Sequence, residues 1–446
     1  QINFLANMLK KYTKNYKNIV LCIIGTWFKI LFDRGMKNML ATLIPLFDET
    51  MTVKAYSLFA QKENRLLNPS YLGAGITAGI HVAGFDLIES MGIETLSADK
   101  EIFVEVNNIS IFSNIDEQCQ APHERLVLLV DNTITPEEMY IRRFRELKEM
   151  GFYLAIRKLP IEKFEAYQEV LRLMDYILLD YKKLNIANAK LFFNKYYPSM
   201  KMCAVNVDSQ EDYDNLRKMG GFDLYEGKFF RLPVTVNKQT EVAPLKVNYI
   251  ELLNIVNDAD FDLSEAADVI GKDTALVISL LKMVNRMTVN SEITSIRHAA
   301  AMLGQKELKQ WINTAVTNEL CADRPSEITR LSLLRAKFAE NLAPVFEMAM
   351  HSSELFLMGL FSVLDLILDK TMAEALTMVK VSRSIEEALI DHKGELAPVL
   401  DFILQYESAS WQEVSRQMVL KNIDMDPVYD AYIKSLQWYR DLVGAE

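Results

Sequence analysis

From residue 41 to about residue 230, short apolar runs alternate with stretches of helical period. The runs at 42–47, 53–59, 102–106, 126–130, 153–156, 176–179, 202–207 and 222–229 read as eight strands. Most are continuously apolar, as expected of strands buried on both faces. The best-marked helix covers 136–150: Thr135 is placed to cap it, Pro136 suits its first turn, Glu138 completes a capping box, and Gly151 ends it. Strands that alternate with helices predict an α/β barrel of the TIM-like kind. Only the turn at 48–52 separates the first two strands, so they form a hairpin. That hairpin puts one antiparallel strand into the barrel.

After residue 230 the pattern changes. The segment 231–246 carries Pro233, Pro244 and polar residues without helical period, and reads as a linker. Beyond it the chain predicts an all-α helical domain. Leu263, Ala266, Ala267 and Ile270 share one face, as do Leu276, Leu280, Met283 and Met287. Asp262 with Glu265, and Ser410 with Glu413, have capping-box spacing. The expected division is an extension at 1–35, a barrel at 36–232, a linker at 233–246 and a helical domain at 247–446.

Composition narrows the functional classes. A formal net charge of -11 repels phosphate backbones and counts against nucleic-acid partners. Cys22, Cys119, Cys203 and Cys321 are far apart in sequence, which argues against a zinc motif or a disulfide framework and suits a reducing cytoplasm. The first 35 residues hold six basic residues against Asp33, around a mostly apolar stretch at 19–31. That stretch is short of the roughly 20 residues of a spanning helix, so no stable membrane span is expected. The extension reads as non-native or upstream sequence with a natural start at Met36; a basic membrane-surface anchor is the rival.

The run GFDLYEGKFF at 221–230 resembles the closing strand of EAL domains, barrel phosphodiesterases of cyclic di-GMP whose pattern there is close to G-F-D-x-x-Q-G-Y-F-F. The resemblance implies a barrel mouth with carboxylates holding two divalent cations that activate water. Few of those ligands are retained. The glutamate of the E-A-L motif aligns with Ser57, and the asparagine of the next metal-bearing strand with Glu105. A following pair of glutamates aligns with Leu128 and Asp131, and the twin aspartates of the D-D-F loop with Arg157 and Lys158. The lysine of I-K-x-D aligns with Leu178, next to Asp180. The two glutamates of E-x-V-E-T align with Val205 and Asp208, and the glutamine before the last glycine with Glu226. Two anionic ligands exchanged for two cations reverse the local field. The expected mouth is therefore a vestigial pocket of Ser57, Glu105, Asp131, Arg157, Lys158, Asp180, Asp208 and Glu226, with no metal or cofactor and no catalytic residue.

The helical part, with LLNIVND at 252–258, AADVIGKD at 266–273, LLKMVN at 280–285, ITSI at 293–296, AMLG at 301–304 and FLMGLFSVLD at 356–365, resembles the HDOD domain. That family is related to HD phosphohydrolases, whose metal-holding His-Asp doublet would fall on Ser362 and Val363. The histidines are His81, His123, His298, His351 and His392, and none precedes an aspartate. A helix-turn-helix can be drawn on 273–281 and 305–316, but the acidity of the chain argues against it. Together the resemblances imply a bacterial cytoplasmic regulator, not an enzyme, that acts through protein partners in a signalling pathway. A second copy of the chain is one candidate partner. The alternative is a metal-independent sensor of cyclic di-GMP, or of another nucleotide, with Arg157 and Lys158 on the phosphates.

Overall fold

A computed structural model describes residues 39–62, 81–231, 244–258, 260–287, 293–322 and 326–443. The extension at 1–35 and most of the linker lie outside the described residues. The eight strands close into a barrel in sequence order. They are β1 (Met39–Phe47), β2 (Val53–Lys62), β3 (Glu101–Glu105), β4 (Leu126–Asp131), β5 (Tyr153–Arg157), β6 (Tyr176–Asp180), β7 (Lys201–Val205) and β8 (Leu224–Tyr225). β1 runs antiparallel to both β2 and β8; the remaining pairings are parallel. The α/β barrel with one antiparallel strand is thus the observed fold, and a helical region follows it.

The strands form because their alternating side chains are apolar on both faces. Ala55, Phe103, Leu129, Ala155, Leu178, Cys203 and Leu224 fill the barrel interior. The intervening positions, such as Leu58, Val104, Leu128, Leu154 and Leu179, pack outward against the surrounding shell. Helices α1 (Ala83–Met91), α2 (Glu138–Glu149), α3 (Ile186–Tyr196) and α4 (Gln210–Met219) belong to that shell. Asn185 and Ser209 cap α3 and α4 by accepting from the backbone N–H of Asn188 and Asp212.

Three local expectations are corrected. Thr135 does not cap α2: its hydroxyl donates to the Glu137 carboxylate at 2.7 Å, and the helix starts only after Glu137, past Pro136. β7 stops at Val205 because Asn206 takes a positive φ of 62°, which turns the chain out of the sheet. β8 is only two residues long. Its aromatic continuation turns aside as a 3₁₀ segment, Phe229–Arg231, in which Phe229 stacks on Tyr213 at 4.5 Å and Phe230 meets Phe47 at 4.7 Å. Aromatic packing outside the sheet outweighs extension of the strand.

The helical region contains α5 (Pro244–Val256), α6 (Leu263–Ile270), α7 (Thr274–Met287), α8 (Ile296–Leu320), α9 (Ser326–Leu342), α10 (Ser352–Phe361), α11 (Arg383–Asp391), α12 (Ala397–Glu407) and α13 (Met425–Val443) among its longer helices. α5 begins at Pro244, inside the segment read as linker. Ala266, Ala267 and Ile270 are buried as expected, and Asp262 caps α6. On α7 the buried row is Leu276, Leu280 and Val284, while Met287 is exposed. A stripe at i, i+4, i+8 from Leu276 reaches Val284, not Met287. Ser410 precedes its helix without a side-chain capping bond. At Gly359 on α10 a Cβ would lie 2.5 Å from the Arg335 carbonyl oxygen, so α9 and α10 pack backbone to backbone.

Barrel and helices meet along β1 and β2. The Ala41 backbone N–H donates to the Tyr406 hydroxyl at 3.2 Å. Tyr56, pointing outward from β2, donates to Glu327 of α9 at 3.1 Å, and Arg330 lies over its ring at 4.8 Å. Burial and the Glu327 carboxylate push the Tyr56 hydroxyl far above the ordinary tyrosine range. A cavity of about 40 Å³ at this junction is lined by Thr42, Arg231, Glu327, Arg330, Glu407 and Tyr432 among others.

Candidate functional site at the barrel mouth

Strand periodicity builds the site. Ser57, Glu105, Asp131, Arg157 and Asp180 each lie two residues beyond an interior apolar position (Ala55, Phe103, Leu129, Ala155 and Leu178), and Glu226 stands two beyond Leu224. With a side-chain period of two, all six face the barrel axis one layer above the core, at the ends toward which the parallel strands run. Lys158 and Asp208 stand on the loops just after β5 and β7. The eight positions singled out in the sequence are therefore collected at one mouth. Leu128 faces outward, so the interior position of that strand is Leu129.

The groups pair among themselves. Ser57, fully buried, donates to Glu226 at 3.2 Å. Arg157 pairs with Glu105 and lies 5.2 Å from the Phe59 ring. Lys158 reaches Asp131 at 3.5 Å, and Thr133 donates to the same carboxylate at 2.6 Å. Asp180 accepts from Asn206 at 2.9 Å and faces Lys183 at 3.6 Å. Lys182 pairs with Asp208. Sequence reasoning missed Asn206, Lys182 and Lys183. The Lys182-Lys183 doublet directly after Asp180 was a usable signal, because a strand-end acid followed by two bases predicts local ion pairs.

Burial sets the titration of the mouth. Desolvation raises the Glu226 carboxyl to about 7, against the opposing pull of Arg157 and Ser57; Asp180 and Asp208 push it the same way as burial. Glu226 keeps some exposed surface as a residue, but its carboxyl is buried and accepts from Ser57. Desolvation lowers Arg157 and Lys158 from their ordinary ranges, and Arg157 lowers Lys158 further. Asp131 lies below its ordinary value because the Thr133 and Lys158 interactions outweigh burial. Lys158 also holds a positive φ of 57°, a costly conformation for a lysine and one that sets its direction at the rim.

A pH dependence follows from Glu226. Its folded pKa lies above the unfolded value, so its contribution to stability is complete below about pH 4.5 and is lost as pH rises through about 7. The loss is at most about 3 kcal/mol at 1.36 kcal/mol per unit, and solvent access reduces it. Urea unfolding of Glu226→Gln beside the parent from pH 5 to 8 should show a flatter profile for the variant. Parallel profiles would remove Glu226 as the cause.

The two-cation chemistry implied by the EAL resemblance does not fit this mouth. Glu105, Asp131, Asp180 and Asp208 each already face an arginine, lysine or asparagine of the chain, and Arg157 stands among them.

Residues 242–395 match the HDOD domain family. Over 92% of its length, the chain is 25% identical to a Vibrio cholerae protein named "Cyclic di-GMP phosphodiesterase CdgJ", covering 94% of that protein. It is equally 25% identical, over 90% of its length, to "Uncharacterized protein YuxH" of Bacillus subtilis, covering 98% of it. Among solved structures, the "PaMucR Phosphodiesterase, c-di-GMP complex" aligns with 43% of this chain and 94% of that one, at 12% identity and TM-score 0.36. The expectation that the chain is not an enzyme is corrected by the Vibrio cholerae relative, whose name is that of a phosphodiesterase and whose similarity spans both parts of the chain. Among the described residues, no helix is long and apolar enough to cross a membrane.

Proposed function

We propose that this chain is a cyclic di-GMP signalling protein in which the barrel mouth takes up the dinucleotide and the helical region passes the state of the barrel to protein partners. The observation that carries the reading is the pair of cations at the end of β5. Lys158 is more than half exposed and only loosely paired, so its ammonium is available to a phosphate. Arg157 is held between Glu105 and Phe59, which still leaves guanidinium donors for a second acceptor. The full-length similarity to a protein named for cyclic di-GMP supports the choice of ligand. Tyr56 and Ser57, adjacent on β2, support the transmission: one bonds Glu327 of the helical region and the other bonds Glu226 in the mouth.

Calorimetric titration of the full chain with cyclic di-GMP, with and without Mg²⁺, tests the uptake. Exchange of both Arg157 and Lys158 for alanine should weaken binding at least about 10-fold, as expected for lost charge-assisted phosphate contacts. Unchanged affinity would refute the phosphate role, and no binding up to about 1 mM would refute the reading itself. Chromatography of the same samples with Mg²⁺ or Mn²⁺ shows whether the bound dinucleotide is opened to its linear form, the activity to which the relative's name points.

A further inference from the structure

We infer that His351, Glu354 and Glu395 form a surface site for one divalent transition-metal ion, with Zn²⁺ the best match. The site lies in the helical region, away from the mouth, and is independent of the reading above. His351 ends a 3₁₀ turn and precedes α10; Glu354 is in the first turn of that helix. Glu395 is on the loop between α11 and α12. The local fold brings the three together. The His351 Nδ1 is 2.8 Å from one Glu354 carboxylate oxygen and 3.8 Å from a Glu395 oxygen. One ligand atom from each residue lies within 4.8 Å of the other two. Ligands about 2.0–2.2 Å from a tetrahedral ion stand roughly 3.3 Å apart, a spacing that the two nitrogen–oxygen distances bracket.

Three further observations favour a cation. The ion pairs of Glu354 and Glu395 among the described residues are with His351 alone, so two carboxylates share a single imidazole. Ser382 donates to the other Glu354 oxygen at 2.6 Å, and Ser384 donates to Glu395 at 3.3 Å. Such outer hydrogen bonds orient ligating carboxylates. All three side chains keep about a third or more of their surface exposed, so water can complete the coordination. One imidazole with two carboxylates suits Zn²⁺ better than Mg²⁺ or Ca²⁺, which take oxygen ligands.

The test uses the full chain, stripped with chelator and titrated with ZnCl₂ by calorimetry. One equivalent should bind, and His351→Ala and Glu395→Gln should each weaken it at least about 10-fold. Glu395 is on an exposed loop, so its variant keeps the test valid should His351→Ala unfold. His298→Ala, which removes an exposed histidine elsewhere, should leave the affinity unchanged, as should the Arg157→Ala, Lys158→Ala pair. Absent binding, or equal affinity in the parent and the two site variants, overturns the assignment. Cyclic di-GMP titration of His351→Ala separates this result from the mouth, because that affinity should not move.

Discussion

Replacing Glu407 with alanine is expected to cost about 3–5 kcal/mol, because it strands two buried guanidinium groups. Glu407, at the end of α12, accepts from the Arg335 Nε at 2.9 Å and from its Nη2 at 2.9 Å, a two-pronged contact. It also accepts from Arg231 at 3.3 Å. Arg335 is nearly fully buried, and Arg231 sits on the 3₁₀ segment that follows β8. Desolvation already lowers Arg231, with Glu407 as the main opposing influence. One carboxylate therefore compensates a cation from the barrel and a cation from α9. Removing either arginine alone leaves the other to neutralise Glu407 and should cost less. Replacing all three with apolar residues of similar volume should recover much of the loss, since the penalty lies in uncompensated charge rather than in a missing attraction. Urea unfolding of the single and triple variants measures this; a Glu407→Ala midpoint within error of the parent would mean that water already solvates the arginines.

Gly227→Ala is expected to destabilise by at least about 3 kcal/mol and to damage the mouth as well. A Cβ there would stand 1.9 Å from the Val207 carbonyl oxygen and 2.6 Å from the Val207 nitrogen. Those atoms are backbone and cannot rotate away. The segments around them are tied: Val207 N–H donates to the Glu226 carbonyl at 3.0 Å, and Phe229 N–H donates to the Val207 carbonyl at 3.2 Å. Relief must move the loop after β7 or the segment after β8. The first carries Asp208 and Asn206, the second Glu226. For a domain of this size, 3 kcal/mol is a fall of roughly 6–12 °C in melting temperature. Cyclic di-GMP affinity should fall with it, even below the melting transition. A variant that melts within about 2 °C of the parent would show that the crossing is looser than it stands here.

The barrel was legible in the chain because its signal is local and repeated. Each apolar run between helical stretches is a strand buried on both faces, and the five-residue turn at 48–52 dictates a hairpin. The positions at the mouth were legible through the resemblance to EAL domains, and the strand period agrees with most of them. A residue two beyond an interior apolar side chain must face the axis, which holds for Arg157 after Ala155 and for Glu226 after Leu224. The register within β4 was not legible, because Leu128 and Leu129 are both apolar and only closure of the barrel distinguishes inside from outside. Whether the chain is an enzyme was misread: counting replaced ligands describes a site, whereas the similarity to the Vibrio cholerae protein extends over nearly the whole chain.

The sequence by itself thus determined the kinds of element and their order, which follow from periodicity along a single segment, while the set of groups at the mouth came from the resemblance to EAL domains. Tertiary structure decided what depends on meetings between distant segments. Glu226 draws its raised pKa from burial in the closed barrel, reinforced by Asp180 and Asp208 and opposed by Arg157 and Ser57, residues that lie on three other strands and one loop. Glu407 has its role because Arg231 and Arg335, 176 and 72 positions away, converge on it. His351 and Glu395 are far apart along the chain, and only the packing of α10 against the end of α11 places them side by side. Such electrostatic partners carry no periodic signature, since charge acts through space and periodicity reports only the face of one element.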